Sequence, residues 1–262
     1  GHYFKWACHD DVLAPEFLEK CIAALRDNPG AVLSYPYTRY IDRDSNPIGY
    51  YEGALKDTMS HKPHERFAGV ILPGHPAHEL LGVYVREVLE NSVLYPSYHN
   101  GHRELLAENA LRGQIVIVPE LLSYIRDHEE RYSHVNTELA NHAEFLDPSR
   151  IHEISFPWWR LYRMYWRLVR NNVRVRADRL RCYAQLVRWL WCNWHGVRLA
   201  VDVIRIVSPR LAIFAERLKQ QYISPEPGMG EARRRQAALT YRANTVRNAD
   251  HAPVRSTETS TR

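Results

Sequence analysis

The 262-residue sequence predicts an α/β body followed by an α-helical extension. Three observations carry that expectation. Short apolar runs alternate with helix-periodic segments through the first half of the chain, the pattern of an α/β fold. From Trp158 to Tyr222 only Gly196 and Pro209 interrupt a helical pattern. Charge divides at the same place: residues 1–154 carry 14 Lys+Arg and 23 Asp+Glu, a net −9, whereas residues 155–222 carry 14 and 3, a net +11. The expected organisation is therefore a body over 1–150, a basic Trp-rich extension over 151–222, and a polar, disordered tail over 223–262.

The elements of the body follow in order. Tyr3–Ala7 is a short aromatic strand, and Pro15 opens a helix in which Phe17, Leu18, Cys21, Ile22 and Leu25 recur at helical spacing. Asn28-Pro29-Gly30 stops that helix, Ala31–Tyr37 is the next strand, and Asp42–Pro47 is a polar turn. His61–His78 mixes loop and short helix, and Leu80–Val85 is a strand containing Gly82. Arg103–Leu111 is a helix ended by Gly113. Ile115–Val118 is a strand ended by Pro119, and Leu121–Arg126 is a further strand.

Hydrophobic residues make up 45% of the chain, enough to bury a core. The four cysteines, Cys8, Cys21, Cys182 and Cys192, show neither zinc spacing nor the density of a disulfide scaffold, so a reducing, cytoplasmic setting is expected. Residues 1–10 lack the basic start and apolar stretch of a signal peptide, and no window reaches the ~18 apolar residues a membrane span needs. The chain opens at Gly1 without an initiator methionine, so a fragment or a processed product is expected.

The sharpest chemical feature is Tyr3-Phe4-Lys5-Trp6-Ala7-Cys8-His9-Asp10-Asp11, a strand that delivers two carboxylates at its end. Ligand sites of open α/β sheets lie beyond the carboxyl ends of strands, and carboxylates there can hold Mg²⁺ or Mn²⁺. The same two acids can equally serve only to cap the helix that begins near Pro15.

The stretch YFKWACHDDVLAPEFLEKCIAAL, followed by a strand and Ile41-Asp42-Arg43-Asp44, resembles the second half of a family 2 glycosyltransferase domain of GT-A type. So do LLGVYVREVL at 80–89 and RELLAENALRGQIVIVPELLSYIRDHEERYS at 103–133. The resemblance covers roughly residues 1–135, in family order. It implies metal-dependent transfer of a sugar from a nucleotide-diphospho-sugar to an acceptor hydroxyl, in polysaccharide or cell-envelope glycan synthesis. Asp10 matches the last acid of the family's DxD motif, with Asp11 beside it as a second metal candidate. Cys8 replaces the first acid, and a thiol is a poor ligand for a hard ion. His102 stands where the family's catalytic base is expected, and Glu104 is a substitute for it that can also be a solvated helix-start carboxylate. His128 matches a residue of the metal and diphosphate site, and Arg126 or Arg131 would contact phosphate. The family's opening nucleobase-binding strands have no counterpart here, which implies a GT-A sheet that is incomplete unless another segment or chain completes it.

In the extension, Arg160, Arg163, Arg167, Arg170 and Arg174 fall on one helical stripe among six of the seven tryptophans. Basic residues beside aromatic ones suit peripheral contact with an anionic membrane, on its inner face, and a lipid-linked or glycan acceptor would fit such a location. A hairpin packed on the acidic body is the competing arrangement. No groove-reading motif points to nucleic acid. A second functional expectation follows from the altered motif: a non-catalytic remnant that binds a membrane or a partner.

Overall fold

A computed structural model of the protein describes residues 1–96, 101–127 and 156–207. Within them the chain runs β1 (Tyr3–Phe4), β2 (Val12–Leu13), α1 (Phe17–Asp27), β3 (Ala31–Ile41), β4 (Pro47–Tyr51) and α2 (Pro63–Ile71). A 3-10 turn at His78–Leu81 leads to β5 (Val83–Val85), α3 (Arg86–Glu90), α4 (Gly101–Arg112) and β6 (Gln114–Arg126). Then come α5 (Pro157–Asn172), α6 (Arg176–Trp191), a 3-10 turn at Cys192–Trp194, and α7 (His195–Val207). The fold is mixed α/β, with one curled sheet in the order β1-β5-β3-β6-β2 and β4 also paired to β3.

β3 and β6 are parallel, while β5 is antiparallel both to β3 and to β1. β1, β3 and β6 therefore run in the same direction; β3 and β6 end together at Ile41 and Arg126, whereas β1 ends level with Leu33 in the other half of the sheet. Both faces of β3 are covered, as a central strand requires. On one face α1 presents Phe17, Cys21 and Leu25, spaced four residues apart, to Ala31, Val83, Val116 and Val118. The Ser34 hydroxyl reaches back to the Cys21 carbonyl at 2.8 Å. On the other face Val32, Leu33, Tyr35 and Ile115 meet Phe67 and Val70 of α2 and Leu105, Leu106 and Ala110 of α4.

Two expectations change. Pro119 does not end a strand: β6 continues from Gln114 to Arg126, and the pairing with β3 shifts register between Pro36 and Tyr37. Proline lacks the N–H that a regular ladder needs, and a bulge places Pro119 and Glu120 where none is required. Tyr3–Ala7 forms ladder bonds only at Tyr3 and Phe4. Beyond Phe4 the chain leaves the sheet and crosses to its far side, where Val12 and Leu13 pair with Tyr124 and Ser123 of β6.

The helices after residue 156 share the core of the body. Leu161, Tyr165, Leu168 and Val169 of α5 and Cys182, Leu186 and Trp189 of α6 belong to the same apolar cluster as α2, α4 and the sheet. Trp189 is fully buried, stacked on His195 at 4.0 Å and on Tyr162 at 5.8 Å. Arg198 lies over the Trp158 ring at 4.5 Å, and Asp202 accepts the Trp158 N–H at 3.0 Å, placing a carboxylate at the positive end of α5. The α5–α6 break at Val173–Val175 contains neither Gly nor Pro. Arg179 holds it by donating to the carbonyls of Val173 and Arg174. The α6–α7 break uses left-handed residues Asn193 and Trp194 (φ 50° and 59°), and Asn193 also donates to the Leu72 carbonyl.

One glycine carries the join between α2 and the strand-leading loop. A Cβ on Gly69 would lie 1.6 Å from the Lys56 carbonyl oxygen, while the Lys56 N–H donates to the Gly69 carbonyl at 3.1 Å. Gly69→Ala must push that backbone away, and urea denaturation should show a loss of at least about 2 kcal/mol. An alanine variant within about 0.5 kcal/mol of the wild type would rule the close approach out.

Candidate functional site

The shared carboxyl end of β3 and β6 gathers three segments: the Asp10–Asp11 end of the crossing from β1, the β3–β4 turn, and the end of β6. The turn is closed by the Asp42 N–H donating to the Asn46 carbonyl at 2.9 Å, with Ser45 in the left-handed region (φ 68°). The Asn46 backbone N–H and side-chain amide both donate to the Asp42 carboxylate, at 2.8 and 3.2 Å. The Asn46 amide, with help from its side chain and from Arg126, holds the Asp42 carboxyl below its ordinary value.

Arg126 fastens these segments together. Its backbone N–H donates to Asp11 Oδ1 at 3.1 Å, and its Nε donates to the Asp10 carbonyl at 3.2 Å. Its Nη1 reaches the carbonyls of Asp42 and Arg43 and the Ser45 hydroxyl, at 2.8, 2.9 and 3.1 Å. Next to it, the Asp127 N–H donates to the Ile41 carbonyl, which extends the β3–β6 ladder by one bond. The sequence placed Arg126 on phosphate; the structure commits its Nε and Nη1 to the protein itself.

Arg126 thus touches the Asp11 carboxylate and the Asp10 backbone carbonyl. Asp10 keeps 27% of its side chain exposed, so it is not sealed in the core. Its neighbour His9 is almost wholly exposed, with Nδ1 3.8 Å from Asp10 Oδ1. Cys8 is solvent-accessible at the rim. Partial desolvation, then the Asp11 carboxylate, pushes the Cys8 thiol up to about 11, so it stays protonated at neutral pH and is no thiolate ligand. Among the described residues no group of three or more His, Cys, Asp or Glu side chains could hold a metal ion. His128 and Arg131 lie outside the described residues.

The other two expected residues sit on α4. His102 is half-buried in its first turn, beside Arg103, whose Nη2 donates to the His75 carbonyl at 3.3 Å. Glu104 departs from expectation. It has no solvent exposure, and neither carboxylate oxygen has a hydrogen-bond partner. It is enclosed between α4 and α5 rather than solvated at a helix start, and no acceptor hydroxyl can reach it there. Burial, then the Glu108 carboxylate one turn on, push its carboxyl up to about 7, against the opposing pull of Arg160 and Arg167. Glu108 itself is well satisfied, receiving Arg112, the Val93 N–H and Asn172.

Sequence reasoning missed a second buried carboxylate. Glu79, fully buried, accepts the Tyr51 hydroxyl at 2.6 Å and lies 3.5 Å from His75 Nδ1. Burial works against its charge, yet the His75 and Tyr51 contacts hold its carboxyl below its ordinary value. Tyr40 joins the same region through His78 Nε2 at 2.8 Å. The only sequence signal was His75, His78 and Glu79 within five residues. Two surface cavities lie elsewhere: one of about 420 Å³ beside Tyr3, Val85 and Arg86, and one of about 610 Å³ beside Gly30, Arg66 and Gln114. Neither includes Asp10, Asp11 or Arg126.

No family model and no curated protein matches the chain.

Two outcomes follow from this geometry. Arg126→Ala removes the strut between three loops, so its cost, on the order of 2 kcal/mol by chemical denaturation, should accompany faster hydrogen exchange at residues 8–11 and 42–46. Unchanged exchange in those loops would sink the strut. Glu104 binds its proton more tightly folded (about 7) than unfolded (4.5), so its contribution to stability is complete below pH 4.5 and is lost as pH rises to 7. Glu104→Gln should flatten that decline and stabilise the protein at pH 8 by on the order of 3 kcal/mol. Parallel stability curves for the two proteins across this range would contradict it.

Proposed function

We propose that the chain is the acceptor-side part of a GT-A-type glycosyltransferase, transferring a sugar from a nucleotide-diphospho-sugar to an acceptor hydroxyl. The observation that carries this reading is the meeting of the Asp10–Asp11 segment with Arg126 where the parallel strands β3 and β6 end. Charged ligands of α/β sheets bind at such an edge. The ordered resemblance of residues 1–135 supplies the reaction class.

Two carboxylates suit Mg²⁺ or Mn²⁺, which commonly take one or two protein oxygens and fill the remaining positions with water and phosphate. Asp10 and Asp11 would hold that ion, which would supply Lewis-acid neutralisation of the departing diphosphate. Arg126 adds fixed positive charge on the same side, and the bonds from Nε and Nη1 keep it there without reorganisation. His102 would take the proton from the acceptor hydroxyl. A nucleobase-binding half would join the sheet along the outer edge of β1, which pairs only with β5 among the described residues.

A specific observation favours a second reading, a non-catalytic protein that binds a membrane or a partner. Cys8 occupies the first acid's place, and its thiol is held protonated by partial desolvation and then by the Asp11 carboxylate. Nucleotide-sugar turnover in Mn²⁺ separates the two readings. The wild type should release nucleoside diphosphate, Asp10→Asn should lose at least about a hundredfold in kcat, and its thermal unfolding should be little altered. Absence of turnover together with absence of Mn²⁺-dependent nucleotide binding, in a folded wild-type protein, would leave the non-catalytic reading standing.

A further inference from the structure

α5 and α6 bury one side each and turn the other outward, and the outward sides join into one surface. On α5 the buried positions are Leu161, Tyr165, Leu168 and Val169. Helical spacing puts Arg160, Arg163, Arg167 and Arg170 on the opposite side, and these four and Arg174, just past the helix end, are exposed. Between that row and the α6 side lie Trp159 and Trp166, which are 38% and 40% exposed. Trp166 stacks on Tyr183 of α6 at 4.0 Å, which closes the seam between the helices.

Beyond Tyr183, α6 continues the apolar strip with Leu180, Val187 and Trp191, exposed by 68%, 54% and 86%. Exposed Arg181 and Arg188 follow on its far side. An aromatic and aliphatic ridge thus runs between two arginine rows. Trp159 also donates its indole N–H to the Leu199 carbonyl at 3.0 Å, whereas no buried helix face accounts for Leu180, Val187 or Trp191.

We propose that this ridge lies flat on an anionic phospholipid bilayer, with Trp159, Trp166, Leu180, Val187 and Trp191 entering the headgroup–acyl boundary. The arginines on both sides would meet lipid phosphates. Tryptophan sits well at that depth because its ring is apolar and its N–H is polar. Guanidinium groups pair with phosphate oxygens in fork geometry. A second copy of the chain fits poorly, because a two-fold contact through this face would bring the arginine rows together. Nucleic acid fits poorly, because Leu180 and Val187 occupy the centre of the strip and offer no stacking surface. No helix among the described residues is long and apolar enough to cross a membrane, so the contact is a surface one. The inference is independent of the glycosyltransferase reading, because its residues and its readout differ.

The test uses the full chain in vesicle flotation, with phosphatidylcholine alone and with phosphatidylcholine mixed with phosphatidylglycerol. The wild type should float with the anionic vesicles only, and added salt should weaken it. Its tryptophan emission should shift to the blue and be quenched by bromine placed on the upper acyl chain. Arg163→Glu with Arg170→Glu should weaken binding by at least about tenfold. Val187→Asp with Trp191→Asp should weaken it as much and remove most of the quenching. All four positions are exposed, and unchanged circular-dichroism melting would show that the variants fold. Equal flotation with neutral vesicles, binding indifferent to both variants, or unquenched tryptophan would overturn the proposal. So would a concentration-dependent dimer that Trp191→Asp dissociates.

Discussion

β3 and β6 lie side by side from Ala31 and Gln114 to Ile41 and Arg126, and everything else is arranged around that ladder. Its two prolines decide the shape. Pro36 and Pro119 fall beside the same register shift, where each strand has a backbone nitrogen with no proton to give. Below that point β3 pairs with β5, at Leu33 and Ser34; above it β3 pairs with β4, at Thr38 to Ile41. One strand thus serves two different neighbours on the same side. The lower half of the sheet carries the core packed by α1, α2 and α4, and the upper half carries the loops of the candidate site.

The upper half would be poorly fixed by its ladders alone. β2 contributes two residues, and the β3–β4 turn is exposed. Arg126 supplies what the short strands lack. Its five hydrogen bonds tie the backbone carbonyls and side chains of residues 10, 11, 42, 43 and 45 to the end of β6. A lysine could not reproduce this, since a single ammonium lacks the separated donors of the guanidinium. The arrangement also sets the local charge. Asp11 and Asp42 both sit near Arg126, and the Asn46 amide, with Arg126, holds the Asp42 carboxyl below its ordinary value, while the Cys8 thiol stays neutral.

Much of this was legible in the sequence. The four-residue spacing of Phe17, Cys21 and Leu25 announced the buried side of α1, and the polar run Asp42–Pro47 announced the turn. The two acids after an aromatic strand announced the place where the site would form. Pro119 misled, because a proline reads locally as a strand end, whereas a bulge shared with a neighbouring strand is a non-local event. Glu104 misled because a carboxylate in a first helical turn is normally hydrated, and only the docking of α5 encloses it. The strip of Leu180, Val187 and Trp191 was hidden for a similar reason. Apolar residues on a helix read as core until tertiary packing shows which side is already filled.

The division of charge along the chain invited a simple picture, with a basic hairpin held to an acidic body by ion pairs. The contacts between them are instead apolar: Leu161, Tyr165, Leu168 and Val169 meet Leu105, Leu106 and Phe67. Of the two acids buried at that junction, Glu108 accepts Arg112 and Asn172, while Glu104 has no hydrogen-bond partner for its oxygens and is raised towards neutrality rather than ionised by its arginine neighbours. Burying a full ion pair there would cost more in lost hydration than the attraction returns. The guanidinium-bearing side of α5 is consequently left on the outside, with Arg160 and Arg167 also acting on Glu104 across the junction and Arg163 and Arg170 exposed. A positive surface of this kind is available for something outside the fold, and the exposed tryptophans beside it narrow what that something can be.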